Sequence, residues 1–538
     1  MKKFTPTLLV LFTLIGVFIG INLSGEGGKT IIIASQGNKI NELMTMMQSS
    51  YVDTLDMTEI IEETMPKILE ELDPHSKYIP LEELEATNAD LASSFSGIGI
   101  RFTIQEDTVN ISDVIRGGPS EQIGLMPGDC IVKVNDTLFV GDICTNDNAM
   151  RKLKGPKGTK VKVSVKRYGE KDLLHFNIVR GDIPVESIEA AYLIDDKWGY
   201  MQVERFAENT FTEFFIALAK FLKNNCRGII IDLRGNGGGY MGVALQMANE
   251  FLQRGDVIVY TEGANSPRST EYANGRGNLQ KIPLVILVDE TSASASEILA
   301  GTIQDNDRGT IIGRRTFGKG LVQQPLTFSD GSAVRLTVAR YHTPSGRCIQ
   351  KPYTKGENEE YAKDIIYRYE RGEFFSQDSI HQNDTLLFYT RMGRTVYGGG
   401  GIMPDIFVSS DTTKFTPYLS SVTAKRLPMM FAMRYSKEHR HELDKFKGYK
   451  QLVAHLESLP IVDNFIAFAK SKGVEPPTAK VAGTRKMLQE ALAAHIIYNI
   501  QGMLEYVKYV NLRDETVLKA VEVLEKGESF PKKEGNKK

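Results

Sequence analysis

Apolar residues run almost unbroken from Leu8 to Leu23, a few residues after Lys2 and Lys3. A basic start followed by an apolar run has the form of an export signal. The run is at the short end for a membrane-spanning helix, which needs roughly 17–25 residues. Asn22-Leu23-Ser24-Gly25 offers no small-x-small cleavage site, and no cysteine stands nearby for lipid attachment. Residues 1–25 are therefore expected to be a signal peptide or a membrane anchor, and either one exports the rest of the chain. No further apolar run reaches the length of about 18 residues that a second crossing needs.

From residue 38 to residue 92 the pattern becomes helical, with Ile60, Ile61, Met65, Ile68, Leu69 and Leu72 at helical spacing. Leu72-Asp73-Pro74-His75-Ser76 ends it, because proline cannot continue a helix. Near Phe95 the texture changes. Gly99–Thr103, Val109–Val114, Cys130–Val134, Lys160–Arg167 and Leu174–Val179 read as strands, separated by glycine turns, and Thr145–Leu153 reads as a helix. Residues 93–180 thus form a β-rich module of domain size.

Strands and helices then alternate through residues 185–410. Gly228–Leu233 and Pro283–Asp289 are continuous apolar runs of the kind found in strands buried on both faces. Phe211–Lys223 and Tyr240–Leu252 read as helices between strands, which argues for an α/β core. Residues 352–394 are charged and tyrosine-rich and read as a surface insertion, followed by Gly398–Gly401 and a strand Ile402–Val408. Residues 411–538 read mostly as helices ending in a basic tail.

Composition narrows the class. Of 538 residues, 41% are hydrophobic and 25% charged, which is globular and excludes wholesale disorder and a polytopic membrane protein. The net charge of −2 gives no basic field for nucleic acid. Four cysteines, Cys130, Cys144, Cys226 and Cys348, form no CxxC pair, so a thiolate zinc site is not expected. If the exported chain pairs any of them, the spacing does not say which.

Chemistry concentrates in three segments. The strand Val285–Asp289 turns into Glu290-Thr291-Ser292-Ala293-Ser294-Ala295-Ser296-Glu297, a helix start packed with small residues. A serine there sits among unpaired N–H groups that can stabilise an oxyanion. Ser294-x-x-Glu297 is equally a capping box, and spacing does not choose among Ser292, Ser294 and Ser296. No histidine stands as an obvious base: His75 and His175 lie outside the α/β core and His342 follows a strand. Lys319, in Arg315-Thr316-Phe317-Gly318-Lys319-Gly320 beside Leu321 and Val322, is a candidate base if burial keeps it neutral. Asp232-Leu233-Arg234-Gly235-Asn236-Gly237-Gly238-Gly239 is a glycine loop that matches neither phosphate-binding pattern and better suits a backbone amide facing an oxyanion.

In order, Leu72–Ser76, Phe95–Ile100, Gly124–Asp129, Asp232–Gly239, Ser292–Ile298, Thr316–Gly320 and Tyr341-His342-Thr343-Pro344-Ser345-Gly346-Arg347 resemble the carboxy-terminal processing peptidases, or tail-specific proteases, over roughly residues 40–410. The resemblance implies an α/β protease core with crotonase- or ClpP-like sheet and helices, an inserted PDZ domain at 93–180, and N- and C-terminal helical segments. It implies Ser294 as nucleophile, Lys319 as base and Gln323 as the residue orienting that base. The oxyanion donors it implies are the backbone amides of Ala295 and, in the Asp232–Gly239 loop, Gly238. The family's proline is replaced by Gly237, which leaves open which glycine faces the oxyanion.

The PDZ resemblance makes Gly97-Ile98-Gly99-Ile100 a loop that holds a chain-end carboxylate on backbone N–H groups. The groove would lie between the strand after that loop and helix Thr145–Leu153. The implied function is serine-type endopeptidase action on exported polypeptides with free, apolar C-termini, in the periplasm or at the inner membrane. No metal or organic cofactor is implied, and no nucleic acid partner. The C-terminal helices are expected to serve as a stabilising appendage, a homo-oligomer interface or an adaptor contact. The alternative is a catalytically inactive, membrane-tethered PDZ scaffold that only binds tails. A trypsin-like protease would need a G-[DN]-S-G-G segment, which is absent.

Overall fold

A computed structural model describes residues 39–89, 94–381, 385–410, 416–476 and 482–531. The expected signal or anchor lies outside the described residues. Among these residues no single helix is long and apolar enough to cross a membrane. The chain divides into two compact units between Ile68 and Leu69. In the first, Lys39–Ser50 is a helix and a second helix begins at Met57. That second helix ends at Glu70, just before Asp73-Pro74.

The second unit is built on a six-stranded sheet. Its strands, in order across the sheet, are Ile188–Ile194, Trp198–Val203, Gly228–Asp232, Leu284–Val288, Thr310–Gly313 and Ile406–Phe407. All neighbouring pairs except the first are parallel. The apolar run at Leu284–Val288 is explained by burial on both faces. Leu284, Ile286 and Val288 pack with Phe214, Phe221, Met247 and Leu299 of the helices on one side. Val285 and Leu287 pack with Val517, Ala520 and Leu524 on the other. Helix Glu515–Glu525 therefore covers one face of the central sheet, and this end of the C-terminal region is a layer of the core rather than an appendage. The preceding C-terminal helices enclose a core of their own, around Phe431, Phe465, Leu488, Leu492 and Ile497.

A second sheet carries Lys77–Ile79, Ala333–His342, Val257–Gly263 and Ser266–Tyr272, with Leu321–Thr327 paired to Ala333–His342. The β-rich module folds as one sheet ordered Ile100–Gln105, Thr108–Val114, Cys130–Val134, Lys160–Lys166 and Leu174–Val179. Helix Asn146–Leu153, capped by the Thr145 hydroxyl, packs Ala149 and Leu153 into its core. The chain enters through Ser94–Gly97 and leaves through Gly181–Pro184, and these two strands pair as an antiparallel stem.

Three expectations are corrected. The 38–92 region is not all helix, because Lys77–Ile79 joins the second sheet. Ile402–Val408 is a strand only at Ile406–Phe407, since Ile402 gives both backbone groups to Thr316. The 352–394 insertion is not only surface: helix Asn358–Glu370 buries Tyr361 and Arg368, and Arg368 donates to the carbonyls of Arg315 and Thr316. All four cysteines are free thiols.

Candidate active site

Three serines follow the Leu284–Val288 strand, and hydrogen bonding separates them. The Ser292 hydroxyl donates to the Leu233 carbonyl at 2.8 Å, and the Ser296 hydroxyl to the Asn236 carbonyl at 2.9 Å. Both side chains are buried and hold the Asp232–Gly239 loop against the helix start. Ser294, half-buried between them, caps its helix with its side-chain oxygen, and its hydroxyl donates to no acceptor among the described residues. Its backbone is at φ 55° and ψ −113°, a region that costs a non-glycine residue of order 1–3 kcal/mol. Strain of this kind is held by surrounding contacts, and here they are explicit.

Those contacts centre on Glu297, which is fully buried. One of its carboxylate oxygens accepts the Ser294 N–H at 2.9 Å and the Lys319 N–H at 2.8 Å. The other accepts the Thr316 hydroxyl at 2.5 Å and the Gly318 N–H at 2.8 Å. The carboxylate thus joins the serine turn to the Phe317–Gly320 loop. Burial pushes its pKa up to about 7, against the pull of these four donors. Tyr341 adds a second link, with its hydroxyl 2.6 Å from the Lys319 carbonyl and 3.1 Å from the Ser294 carbonyl.

Lys319 Nζ donates to Gln323 Oε1 at 3.1 Å. Burial lowers the pKa of this lysine, Arg335 adds to that, and Glu297 and Asp73 oppose it. The Gln323 amide nitrogen donates to the His75 carbonyl. Sequence reasoning set His75 apart from the core, yet the structure brings it to the base. Its imidazole Nε2 lies 2.9 Å from the Tyr361 hydroxyl. Burial, then Lys319, lowers its pKa to about 4, so the ring is neutral.

The glycine loop closes the site from the other side. The Asn236 carbonyl accepts the Ala293 N–H at 3.0 Å. A Cβ on Gly238, at φ +105°, would lie 2.8 Å from Ser294 Cβ and 3.0 Å from Ala295 N, so only glycine fits. The Gly238 N–H is donated to Asn236 Oδ1 at 2.8 Å. Those of Ala295, Gly237 and Gly239 meet no acceptor among the described residues. Gly238 therefore contributes close approach, while its amide is already engaged.

In the β-rich module, Ile98 is buried and its carbonyl accepts the backbone N–H and hydroxyl of Ser120. Gly99 has φ +79°, and the N–H groups of Ile98 and Gly99 donate to nothing among the described residues. Strand Ile100–Gln105, which follows, lies at the edge of its sheet. Among the described residues the module thus offers free amides beside an unpaired strand edge, the arrangement that adds a chain end as a further strand.

Residues 197–357 match Peptidase family S41, residues 96–178 match the PDZ domain, and residues 418–502 match a family of unknown function. The carboxy-terminal processing protease CtpA of Bacillus subtilis (strain 168) is 33% identical over 353 residues, which cover 64% of this chain and 75% of that protein. The carboxy-terminal-processing protease of Bartonella bacilliformis is 31% identical over 352 residues, covering 63% of this chain and 80% of that protein. A solved PDZ domain of the carboxy-terminal protease from Vibrio cholerae, in complex with peptide, is 32% identical with a TM-score of 0.16, and covers 17% of this chain and 99% of that one.

Proposed function

Because the chain belongs to the carboxy-terminal processing proteases of Peptidase family S41, serine-type endopeptidases that bind polypeptides at their C-termini, we propose that Ser294 is its nucleophile and Lys319 its general base. The observation that carries this is the shared Glu297 anchor, which ties the backbone of the strained serine to that of the lysine. Neutral Lys319 accepts the Ser294 hydroxyl proton, and the serine oxygen attacks the peptide carbonyl. The amide of Ala295, at the start of its helix, receives the developing oxyanion. The proton passes to the leaving amine, and water then releases the acyl group from Ser294. Gln323 holds Lys319 by accepting one of its N–H groups.

Substrate tails enter as an added strand beside Ile100–Gln105, with the terminal carboxylate on the amides of the Gly97–Ile100 loop and an apolar last side chain in the groove toward helix Asn146–Leu153. The domain limits that go with this reading are 38–92, 93–180, 185–410 and 411–538. The enzyme acts outside the cytoplasm, in the periplasm or held at the inner membrane through residues 1–25, a reading supported by the basic and apolar start of the chain. Contact with a second copy or an adaptor falls, in this reading, to the C-terminal helices that precede Glu515–Glu525. An inactive scaffold is not favoured, since the family is proteolytic and Ser294, Lys319 and Gln323 are all present.

The test is cleavage of an unfolded exported protein with an apolar C-terminus by wild type, Ser294→Ala and Lys319→Ala, with an amidated substrate alongside. Cutting by wild type alone, slowed by amidation, is the expected result. Wild-type rates from Ser294→Ala would refute the nucleophile.

A further inference from the structure

The turn Asp73-Pro74-His75-Ser76 lies in the chain about 250 residues from Gln323, yet its hydrogen bonds end at the base. Asp73 is buried, and one of its oxygens accepts the N–H groups of His75 and Ser76, each at 2.9 Å, and the Thr337 hydroxyl at 3.0 Å. The other accepts the Ser76 hydroxyl at 2.6 Å. The Ser76 oxygen in turn accepts the Thr337 N–H at 3.1 Å. Thr337 is the cross-strand partner of Gln323, at a point where the register shifts between Val322 and Gln323. Directly after the turn, Lys77–Ile79 pairs with Arg335–Ala333 of the same strand. The turn is therefore fixed to the strand beside Gln323 by side chains and by ladder pairing.

The His75 carbonyl is what this anchoring presents. It receives the Gln323 amide nitrogen, which leaves the amide oxygen facing Lys319 Nζ. A glutamine amide has two ends that differ only in donor and acceptor character. With the amide reversed, its NH2 would face the lysine, donating into the lone pair of the neutral amine and so occupying the site that must take the proton. With the acceptor in place, a neutral amine gives one N–H to Gln323 and keeps its lone pair for a proton. The His75 ring is held from behind. The Gln350 side chain donates to the Tyr361 hydroxyl, which leaves that hydroxyl's own proton for His75 Nε2.

We propose that Asp73 is a positioning residue of the reaction, which, through the His75 carbonyl, sets the orientation of the Gln323 amide and so the orientation of the Lys319 amine. This rests on the reading of Lys319 as base. A purely structural role would show as lost folding or as damage independent of Gln323. A positioning role through Gln323 makes a stronger claim, because the effects of the two residues must overlap.

The experiment is a double-mutant cycle in the full chain, reading kcat and KM for a peptide ending in a free apolar C-terminus. Asp73→Ala lowers kcat by about 10- to 100-fold with KM within about twofold, and Asp73→Asn, which can keep the acceptor for three donors, recovers most of the loss. Asp73→Ala in a Gln323→Ala background costs less than about twofold more than Gln323→Ala alone. Losses that multiply, or a loss carried by KM, overturn the proposal. If Asp73→Ala does not fold, Ser76→Ala takes its place in the same cycle, with the same two outcomes. Lys319→Ala is run in parallel: wild-type kcat from it would refute the base assignment itself, separately from the cycle.

Discussion

The backbone amides of Ser294 and Lys319 end on the same atom, Glu297 Oε2, at 2.9 and 2.8 Å. A strained serine turn and a glycine-flanked lysine, 25 residues apart in the chain, are thus held to one buried carboxylate. The position of one fixes the position of the other without either side chain being used.

Replacing that carboxylate is expected to separate the two. In Glu297→Gln, the amide nitrogen must face one of the two donor pairs now served by an oxygen. Buried donors left without partners cost about 1–3 kcal/mol each. We expect a fall in kcat of about 100-fold or more and a loss of about 2 kcal/mol or more in urea denaturation. A variant that keeps wild-type kcat would show that the shared anchor does not position the reaction.

The pH dependence of activity follows from the same pair. Lys319 must be neutral to act, and burial lowers its pKa from 10.5. Glu297 loses its proton at about 7, and of its four donors only the Thr316 hydroxyl can turn to accept the proton of a neutral carboxyl. Protonation therefore disturbs the Thr316 contact, whose oxygen already accepts the Ile402 N–H. The logarithm of kcat/KM should rise with a slope of about two where both groups are still protonated and about one where only one of them is. A single slope of one throughout would exclude Glu297 from the titration.

Stability should respond to pH through two groups of opposite sign. The Glu297 pKa is raised from 4.5 to about 7, so its contribution is full below 4.5 and is lost as pH rises through 7. The His75 pKa is lowered from 6.5 to about 4, so its contribution is full above 6.5 and is lost as pH falls through 4. Between pH 4.5 and 6.5 the two oppose each other. His75→Gln removes one of them, and should gain more stability than wild type as the pH is lowered from 7 to 4.5. Urea midpoints that move in parallel for the two proteins would contradict this.

The three serines give a further prediction. Ser292→Ala and Ser296→Ala each remove a buried hydrogen bond to the glycine loop, and should cost about 1–2 kcal/mol while leaving measurable cleavage. Ser294→Gly removes the nucleophile and the cost of its positive φ together. It should be inactive and about 1 kcal/mol more stable than wild type. Melting curves with parallel peptide hydrolysis check both halves.

How much of this was legible in the sequence depends on what kind of group acts. Cys130–Val134 and Leu174–Val179 are strands with the limits that apolar spacing predicts, because local burial sets them. The choice of Ser294 over Ser292 and Ser296 was not legible from spacing, since it depends on the carbonyls of Leu233 and Asn236 some 60 residues upstream. Glu297 was visible only as a helix-capping residue, while three of its four donors come from residues 316–319. His75 acts through a backbone carbonyl, which no side-chain pattern encodes. Tyr361 and Arg368 sit in a segment whose charge and tyrosine content reads as surface, although both are buried against the lysine loop and its neighbours.

Tail recognition should separate from chemistry at Gly99. That residue sits at φ +79°, and an added Cβ would lie 3.1 Å from Ile183 Cδ1. An alanine there disfavours the backbone turn that leaves the Ile98 and Gly99 amides without acceptors among the described residues, and so should weaken the proposed carboxylate site. Ser294 and Lys319 belong to a different part of the fold, joined to this module through the Ser94–Gly97 and Gly181–Pro184 stem. Gly99→Ala should therefore raise KM for a peptide with a free C-terminus by about tenfold and leave kcat within about twofold. The same variant should lose most of the preference for a free over an amidated terminus, because that preference resides in the amides it disturbs. An equal fall in kcat for both peptides, with KM unchanged, would place the effect of Gly99 on the catalytic step and remove the loop from tail recognition.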